Sequence, residues 1–341
     1  MKTFFVTGGA GFIGSAFIRL ILNRYPSCRI VNYDALTYAG NPDNLKGIDP
    51  DRHRLVVGDI ADPAALNAAL NRGVDVVINF AAESHVDRSI ASAAEFLRTN
   101  VVGTQVLLDA AREAGVRRFV HVSTDEVMGS LPEDDAAYFI EDSPFAPNSP
   151  YAASKAAAEH LVRAVHHTHG LDTVITRCGN NYGPRQFPEK LIPLLLSNAL
   201  SDQPIPVYGD GLNVRDWIYV DDHCRAIALV MENGRSGDVY NIGARNQRKN
   251  IELVESILDA VEKPRSLIRY VKDRPGHDRR YAIDPTKIET ELGWFPEETW
   301  ETGIQKTIQW YLDNGEWIER ARSGAYREYY ARQYGEEVTS L

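Results

Sequence analysis

Tyr151 and Lys155 stand four residues apart, inside a run from Ala152 to Leu161 made largely of helix formers. Residues at i and i+4 share one helix face, so the phenol and the ammonium point at one place. A cation beside a phenol favours the phenolate and lowers the tyrosine pKa, giving a usable general base near neutral pH. Ser149-Pro150 ahead of them reads as an N-cap followed by N1. Upstream, Thr124-Asp125-Glu126 places a hydroxyl beside two adjacent acids. Nearer the N-terminus, Gly8-Gly9-Ala10-Gly11-Phe12-Ile13-Gly14 spaces glycines for a tight turn, a close backbone approach to a diphosphate, and close helix–strand packing. The helix that such a turn opens supplies free N–H groups and a positive dipole end to the diphosphate. Asp34, 20 residues beyond Gly14, ends a second strand-like run. A carboxylate there meets the adenosine ribose hydroxyls and repels a 2′-phosphate, which favours NAD over NADP. Asp59 and Ile60, past the third strand, fall on the adenine side of the same crevice.

Lys190, Arg215, Arg274 and Arg280 lie among prolines and glycines in the second half, a placement that suits gripping a diphosphate. His166, His167 and His169 cluster locally, but no spacing pairs them with acids or cysteines. They read as a solvated helix end, and no metal site is expected. Cys178 has no histidine or asparagine signature of a nucleophile around it, and the five tryptophans read as packing residues.

These groups need a scaffold. Strand-like runs at Thr3–Thr7, Arg29–Tyr33, Arg54–Val57, Val74–Phe80, Arg118–Val122 and Thr173–Arg177 are separated by helical patterns, the first from Phe12 to Asn23. That alternation predicts an α/β fold: a Rossmann-like parallel sheet with helices on both faces. Thr124-Asp125-Glu126 then falls at the carboxyl edge of the sheet, where open α/β sheets bind ligands. Beyond Arg177, stretches rich in glycine and proline predict a smaller, irregular C-terminal substrate domain. Residues 1–178, with 214–243 returning to them, are expected to form the NAD-binding domain, and 179–213 with 244–341 the substrate domain. The acidic segment Leu131–Ser149 reads as a solvated loop or a lid.

The 341 residues are 44% hydrophobic and 25% charged, enough apolar material for a sizeable core. A net charge of −10 argues against general nucleic-acid binding. Three widely spaced cysteines fit neither a disulfide framework nor a zinc knuckle. The first apolar run is too short for a signal peptide, and no 18-residue apolar stretch occurs. A cytoplasmic protein without a membrane partner is expected.

Residues 1–177, with the glycine turn and the Tyr151/Lys155 helix, resemble the extended short-chain dehydrogenase/reductase superfamily. Ala81-Ala82-Glu83-Ser84-His85-Val86-Asp87-Arg88-Ser89, Ser123-Thr124-Asp125-Glu126-Val127, Asn180-Asn181-Tyr182-Gly183-Pro184, Phe187–Pro193, Asn213–Trp217 and Asp273-Arg274-Pro275-Gly276-His277-Asp278-Arg279-Arg280-Tyr281 narrow this to a resemblance to dTDP-glucose 4,6-dehydratases, to about residue 330. The resemblance implies C4 oxidation by NAD, water elimination across C5 and C6, and hydride return to C6. Tyr151, assisted by Lys155, is the implied C4 base, Thr124 steadies O4, Glu126 removes the C5 proton and Asp125 protonates the departing C6 hydroxyl. Gly8, Gly11, Phe12, Ile13, Gly14, Asp34, Leu36, Thr37, Asp59, Ile60, Ala81, Ala82, Thr99, Tyr151, Lys155 and Asn181 are the implied NAD contacts. Ser84, Thr124, Asn180, Lys190, Tyr208, Arg215, Asn250, Arg274 and His277 are the implied sugar-nucleotide contacts. Which of Asn180 and Asn181 faces the phosphate is open. A homodimer is implied, through a four-helix bundle of segments 100–114 and 151–167. An epimerase or dehydratase of a UDP- or CDP-sugar is the competing enzyme, and a silent redox sensor the competing non-enzyme. Met128 stands where the family carries tyrosine; it either softens the pocket wall or fills core space.

Overall fold

The aromatic and β-branched run Thr3–Thr7 (β1) is an interior strand of a parallel sheet, where both faces are covered and no alternation is needed. The computed structural model describes residues 2–70, 73–133 and 136–322. After β1 come α1 (Phe12–Arg24), β2 (Arg29–Asp34), β3 (His53–Val57), α2 (Pro63–Ala69), β4 (Val76–Asn79), α3 (Val86–Ala91), α4 (Ala94–Phe96), α5 (Thr104–Ala114), β5 (Arg118–Thr124), α6 (Pro150–His169) and β6 (Thr173–Cys178). The second half adds β7 (Asn180–Tyr182), α7 (Leu191–Leu200), β8 (Ile205–Tyr208), β9 (Val214–Tyr219), α8 (Val220–Asn233), β10 (Val239–Ile242), β11 (Gln247–Lys249), α9 (Asn250–Ala260), β12 (Ile268–Val271), α10 (Thr286–Leu292), α11 (Trp300–Asp313) and α12 (Gly315–Ala321).

Among the described residues the large sheet has seven strands in the order β3-β2-β1-β4-β5-β6-β10, every pair parallel. One core, including Phe17, Ile18, Cys224 and Ile227, lies under α1 and α8. The other, including Leu66, Leu107, Leu108 and Val162, lies under α2, α5 and α6. This is the Rossmann-like α/β architecture expected. The fifth strand runs past Val122 to Thr124, and Asp125–Met128 follow as a 3₁₀ turn. The strand end therefore fixes the Thr124-Asp125-Glu126 triplet. β9 belongs to a small sheet with β7 and β11, whereas α8 and β10 rejoin the large sheet. The helices α7, α9, α11 and α12 enclose a separate core around Tyr182, Leu195, Trp217, Leu253 and Trp300.

The described residues of segment 131–149 form the largely solvent-facing loop expected, pinned to the rest of the protein at several points. Leu131 and Phe139 bridge to Arg280 and Ile283, the Phe139 N–H donates to the Ala282 carbonyl at 2.8 Å, and the Arg177 guanidinium holds the Glu141 carbonyl at 2.9 Å. Met128 sits beneath it, 3% exposed, among Val127, Phe139, Ala156, Tyr281 and Ile283. That is the core reading. Met128→Tyr is expected to overpack this cluster and cost about 1–3 kcal/mol of stability, with kcat and KM unchanged. A KM shift at an unaltered melting temperature would return position 128 to the pocket.

Candidate active site

A cavity of about 350 Å³ runs along the carboxyl edge of the large sheet. Gly8, Gly11, Phe12, Ile13, Gly14, Asp34, Thr37, Asp59, Ile60, Ala81, Ala82 and Thr99 line one end. Ser84, Thr124, Glu126, Tyr151, Lys155, Asn180, Asn181 and Lys190 line the rest. Leu36, Asp125, Tyr208, Arg215, Asn250, Arg274 and His277 do not line it.

The glycine turn has little freedom to vary. Gly8 has φ +67°, and a Cβ there would come within 2.7 Å of the Ala81 nitrogen. A Cβ on Gly14 would come within 2.3 Å of the Gly8 carbonyl oxygen. Gly11 is different: a Cβ on it meets only the Gly8 oxygen, at 3.2 Å, and otherwise enters open space in the cavity. Gly11 is also the N-cap of α1. A bare backbone, a helix N-terminus and open space at one point fit a dinucleotide diphosphate. The Asp34 carboxylate accepts from the Ala10 N–H and the Leu36 N–H, both at 2.8 Å. Burial raises its pKa, and those two bonds oppose the shift. Leu36 holds a left-handed φ of 51° to make its bond, so its backbone shapes the ribose end although its side chain lies outside the cavity wall.

Ser149 caps α6, accepting from the Ala152 N–H at 3.1 Å, with Pro150 in the first turn as the sequence predicts. Further along α6, Glu159 receives three bonds from the Arg177 guanidinium, at 3.0 and 2.8 Å to one oxygen and 3.1 Å to the other, both residues buried. This ion pair clamps the Tyr151/Lys155 helix to β6. The Lys155 ammonium donates to the Val122 carbonyl at 2.7 Å, and burial lowers its pKa to about 8. The expected depression of the Tyr151 phenol is reversed in the protein itself. Burial first, then the Glu126 charge, push it well above its ordinary value, while a hydrogen bond with Thr124 pulls the other way.

The two acids sit in unlike surroundings. Asp125 is 2% exposed, with one carboxylate oxygen 3.3 Å from the Thr124 hydroxyl. Burial, Glu126 and Asp216 push its pKa well above the carboxylate range. Glu126 keeps part of its surface open to the cavity. Burial raises its pKa too, but Arg274, Lys190 and Arg215 restrain the rise. One carboxyl is thus held protonated more firmly than the other, the pattern that divides acid from base.

Arg274 and Tyr208 both bond the Asp87 carboxylate, at 3.0 Å each. His277 lies 2.6 Å from an Asp273 oxygen and edge-on to the Tyr208 ring. Arg215 is buried over the Tyr281 ring, 4.3 Å from its centroid, with one arm on the Asp278 carbonyl at 2.8 Å. Asn250 opens α9. Of these residues Arg274 and Arg215 bring positive charge to Glu126, whereas burial lowers the His277 pKa to about 4 and leaves that ring neutral. Sequence reasoning gave no role to Glu189, Arg98 or Gln186, which line the cavity. Glu189 is buried 3.3 Å from Arg88. Arg98 pairs with Asp59 at 2.7 Å from a π-helical stretch, Leu97–Gly103, whose wider turn shifts the facing of every residue in it. His166, His167 and His169 occupy the last turn of α6.

Comparison with known proteins agrees with this arrangement. The family model described as GDP-mannose 4,6 dehydratase matches residues 5–307. A dTDP-glucose 4,6-dehydratase of Xanthomonas campestris pv. campestris is 52% identical, covering 96% of this chain and 98% of its own length. DesIV, a dTDP-glucose 4,6-dehydratase of Streptomyces venezuelae crystallised with NAD bound, is 52% identical and superposes with a TM-score of 0.91, covering 94% of this chain and 100% of its own. The UDP-glucose 4-epimerase of Thermotoga maritima shares the fold at a TM-score of 0.84 and 28% identity, covering 92% and 99%. An epimerase needs no acid pair to expel water, this chain carries that pair, and its half-identity to the dehydratases spans almost its whole length: the chain belongs to the dTDP-glucose 4,6-dehydratase family.

Proposed function

We propose that the protein converts dTDP-glucose to dTDP-4-keto-6-deoxyglucose with NAD as a recycled cofactor. The observation that carries this reading is the split pair: Glu126 on the cavity wall with Tyr151, and Asp125 buried beside the Thr124 hydroxyl, where burial pushes its pKa up. NAD would supply the hydride acceptor for C4 and, as C5 regains a proton, the hydride donor for C6. The glycine turn and the N-terminus of α1 hold its diphosphate, and Asp34 its ribose. Tyr151 takes the O4 proton, with Lys155 held on the Val122 carbonyl and Thr124 steadying O4. The 4-keto group acidifies C5, Glu126 takes that proton, and Asp125 protonates the departing C6 hydroxyl. Lys190, anchored on the Ser84 carbonyl at 2.8 Å, brings positive charge to the sugar-nucleotide half of the cavity, with Asn180 and Asn181 beside it. Arg215 and Arg274 supply the positive charge, and Tyr208, Asn250 and His277 the neutral polar groups, with which the chain would hold the rest of the sugar nucleotide. The division expected, residues 1–178 with 214–243 for the cofactor and 179–213 with 244–341 for the sugar nucleotide, holds in this reading except for β9, whose Arg215 and small-sheet pairing put it with the sugar-nucleotide part; residues 323–341 lie outside the described residues. Incubation with dTDP-, UDP- and CDP-glucose side by side tests the reading. Only a 4-keto-6-deoxy product develops strong ultraviolet absorbance in alkali, and dTDP-glucose is expected to give it fastest. An epimerised sugar as the product would exclude the dehydratase reading.

The working unit is a homodimer in the cytoplasm, built from α5 and α6 of each subunit. Alanines in both helices permit close approach, and Leu97 and Val102, ahead of α5, are each 52% exposed in the single chain. Light scattering at micromolar concentration is expected to give twice the chain mass. A monomeric mass would remove the bundle from the description. No helix among the described residues is long and apolar enough to cross a membrane.

A further inference from the structure

Helices α11 and α12 contribute no residue to the cavity, yet α12 is tied to the cofactor turn through a buried side chain. Asn44, 1% exposed, lies between them. Its Nδ2 donates to the Ala10 carbonyl at 3.0 Å, and its Oδ1 accepts from the Trp317 indole N–H at 3.0 Å. The Ala10 carbonyl also accepts from the Asn41 N–H at 3.0 Å, and the Ala10 N–H donates to Asp34. The residue at the heart of the glycine turn is therefore fixed on both sides. Arg19 adds a bond to the Asn44 carbonyl at 2.7 Å.

The direction of these bonds matters. An indole nitrogen can only donate, whereas an amide side chain offers an acceptor at one end and donors at the other. With Trp317 donating, the Asn44 amide has one satisfied orientation, the one that turns its N–H₂ toward Ala10. Without that donor the buried Oδ1 has nothing to accept from. That orphaned oxygen costs free energy which the side chain lowers only by shifting toward another donor or toward solvent, and the shift loosens its bond to the Ala10 carbonyl. Trp317 is itself held edge-on by Trp310 and Tyr311, with ring centroids 5.1 and 6.2 Å away, so it acts from a rigid base.

We infer that Trp317 is a positioning residue for the dinucleotide: through Asn44, its indole N–H sets the glycine turn that receives the diphosphate. The inference rests on the reading that this turn binds NAD. It assigns to the C-terminal helices a role in retaining the cofactor.

Trp317→Phe deletes the N–H and keeps an aromatic ring. Release of NAD from the purified holoenzyme is expected to quicken about tenfold, the scale of one lost buried hydrogen bond. At saturating NAD, KM for dTDP-glucose should stay within about twofold. In the Asn44→Ala background the same substitution should add nothing, because the chain is already cut. An unchanged release rate with a lower melting temperature would make Trp317 a packing residue only and overturn the inference, as would additive effects of the two substitutions. The wild-type protein gives a second measurement that needs no variant to fold. Coupling is reciprocal, so NAD must slow hydrogen exchange of the Trp317 indole N–H, and equal exchange with and without NAD would also overturn it. Should the wild-type protein bind no NAD at all, the cofactor reading falls first and this inference with it.

Discussion

Tyr151→Phe is expected to lower turnover of dTDP-glucose by about 10²–10⁴-fold, the usual worth of a general base, and to stop the reaction at its first step. No reduced nicotinamide should appear on mixing the variant with substrate. The phenol's surroundings make the requirement strict. In the protein itself burial and the Glu126 charge disfavour a phenolate, so the positive charge of the cofactor ring and of Lys155 must supply what the cavity withholds. The Lys155 pKa of about 8 sets one edge of the pH range. Below it the ammonium is present; above it the cation disappears and the rate falls. Lys155→Met should therefore lose that alkaline limb together with most of its activity. Rapid formation of reduced cofactor by Tyr151→Phe would assign the C4 base elsewhere.

The second large effect separates the later half of the reaction. Glu126→Gln and Asp125→Asn should both oxidise C4 and then stall, each with turnover reduced by about 10²–10⁴-fold. Reduced cofactor accumulates in these variants, unlike in Tyr151→Phe. Glu126→Gln alone should lose exchange of the C5 hydrogen with deuterated solvent, because it lacks the base that removes it. The pH dependence follows from the sign of each role. Glu126 works ionised, so the rate falls as pH drops through its pKa, which burial has raised above the ordinary glutamate value. Asp125 works protonated, and burial beside Glu126 and Asp216 extends its protonated range well above that of a free aspartate. Near-normal turnover in both variants would show that neither carboxyl carries elimination.

Much of this was legible in the residues. Strands are named by their apolar runs, and the Tyr151/Lys155 pair by its spacing and its Ser149-Pro150 cap, because these signals are local. A glycine turn followed 20 residues later by Asp34 reads as a dinucleotide end for the same reason. The segment Leu131–Ser149 shows where local signals stop. Its acids and prolines read as solvent-facing and largely are, yet Leu131 and Phe139 are held by Arg280 and Ile283, 149 and 144 positions away, which no local pattern encodes. Arg98 was missed because a π-helical stretch breaks the 3.6-residue period by which a helix face is read.

The sequence by itself determined the order of elements and pointed to a cofactor turn and a set of reactive groups, since spacing along one strand or one helix is enough to propose those. Tertiary structure decided how those groups are charged. Asp125 and Glu126 are neighbours in the chain, yet one is buried behind Thr124 and the other faces Arg274, Lys190 and Arg215, drawn from distant elements. It also decided that the Tyr151 phenol is raised, that Met128 is core, and that Trp317 reaches Ala10 through Asn44. Burial and Coulomb interactions depend on distance in space, and only the folded chain sets that distance.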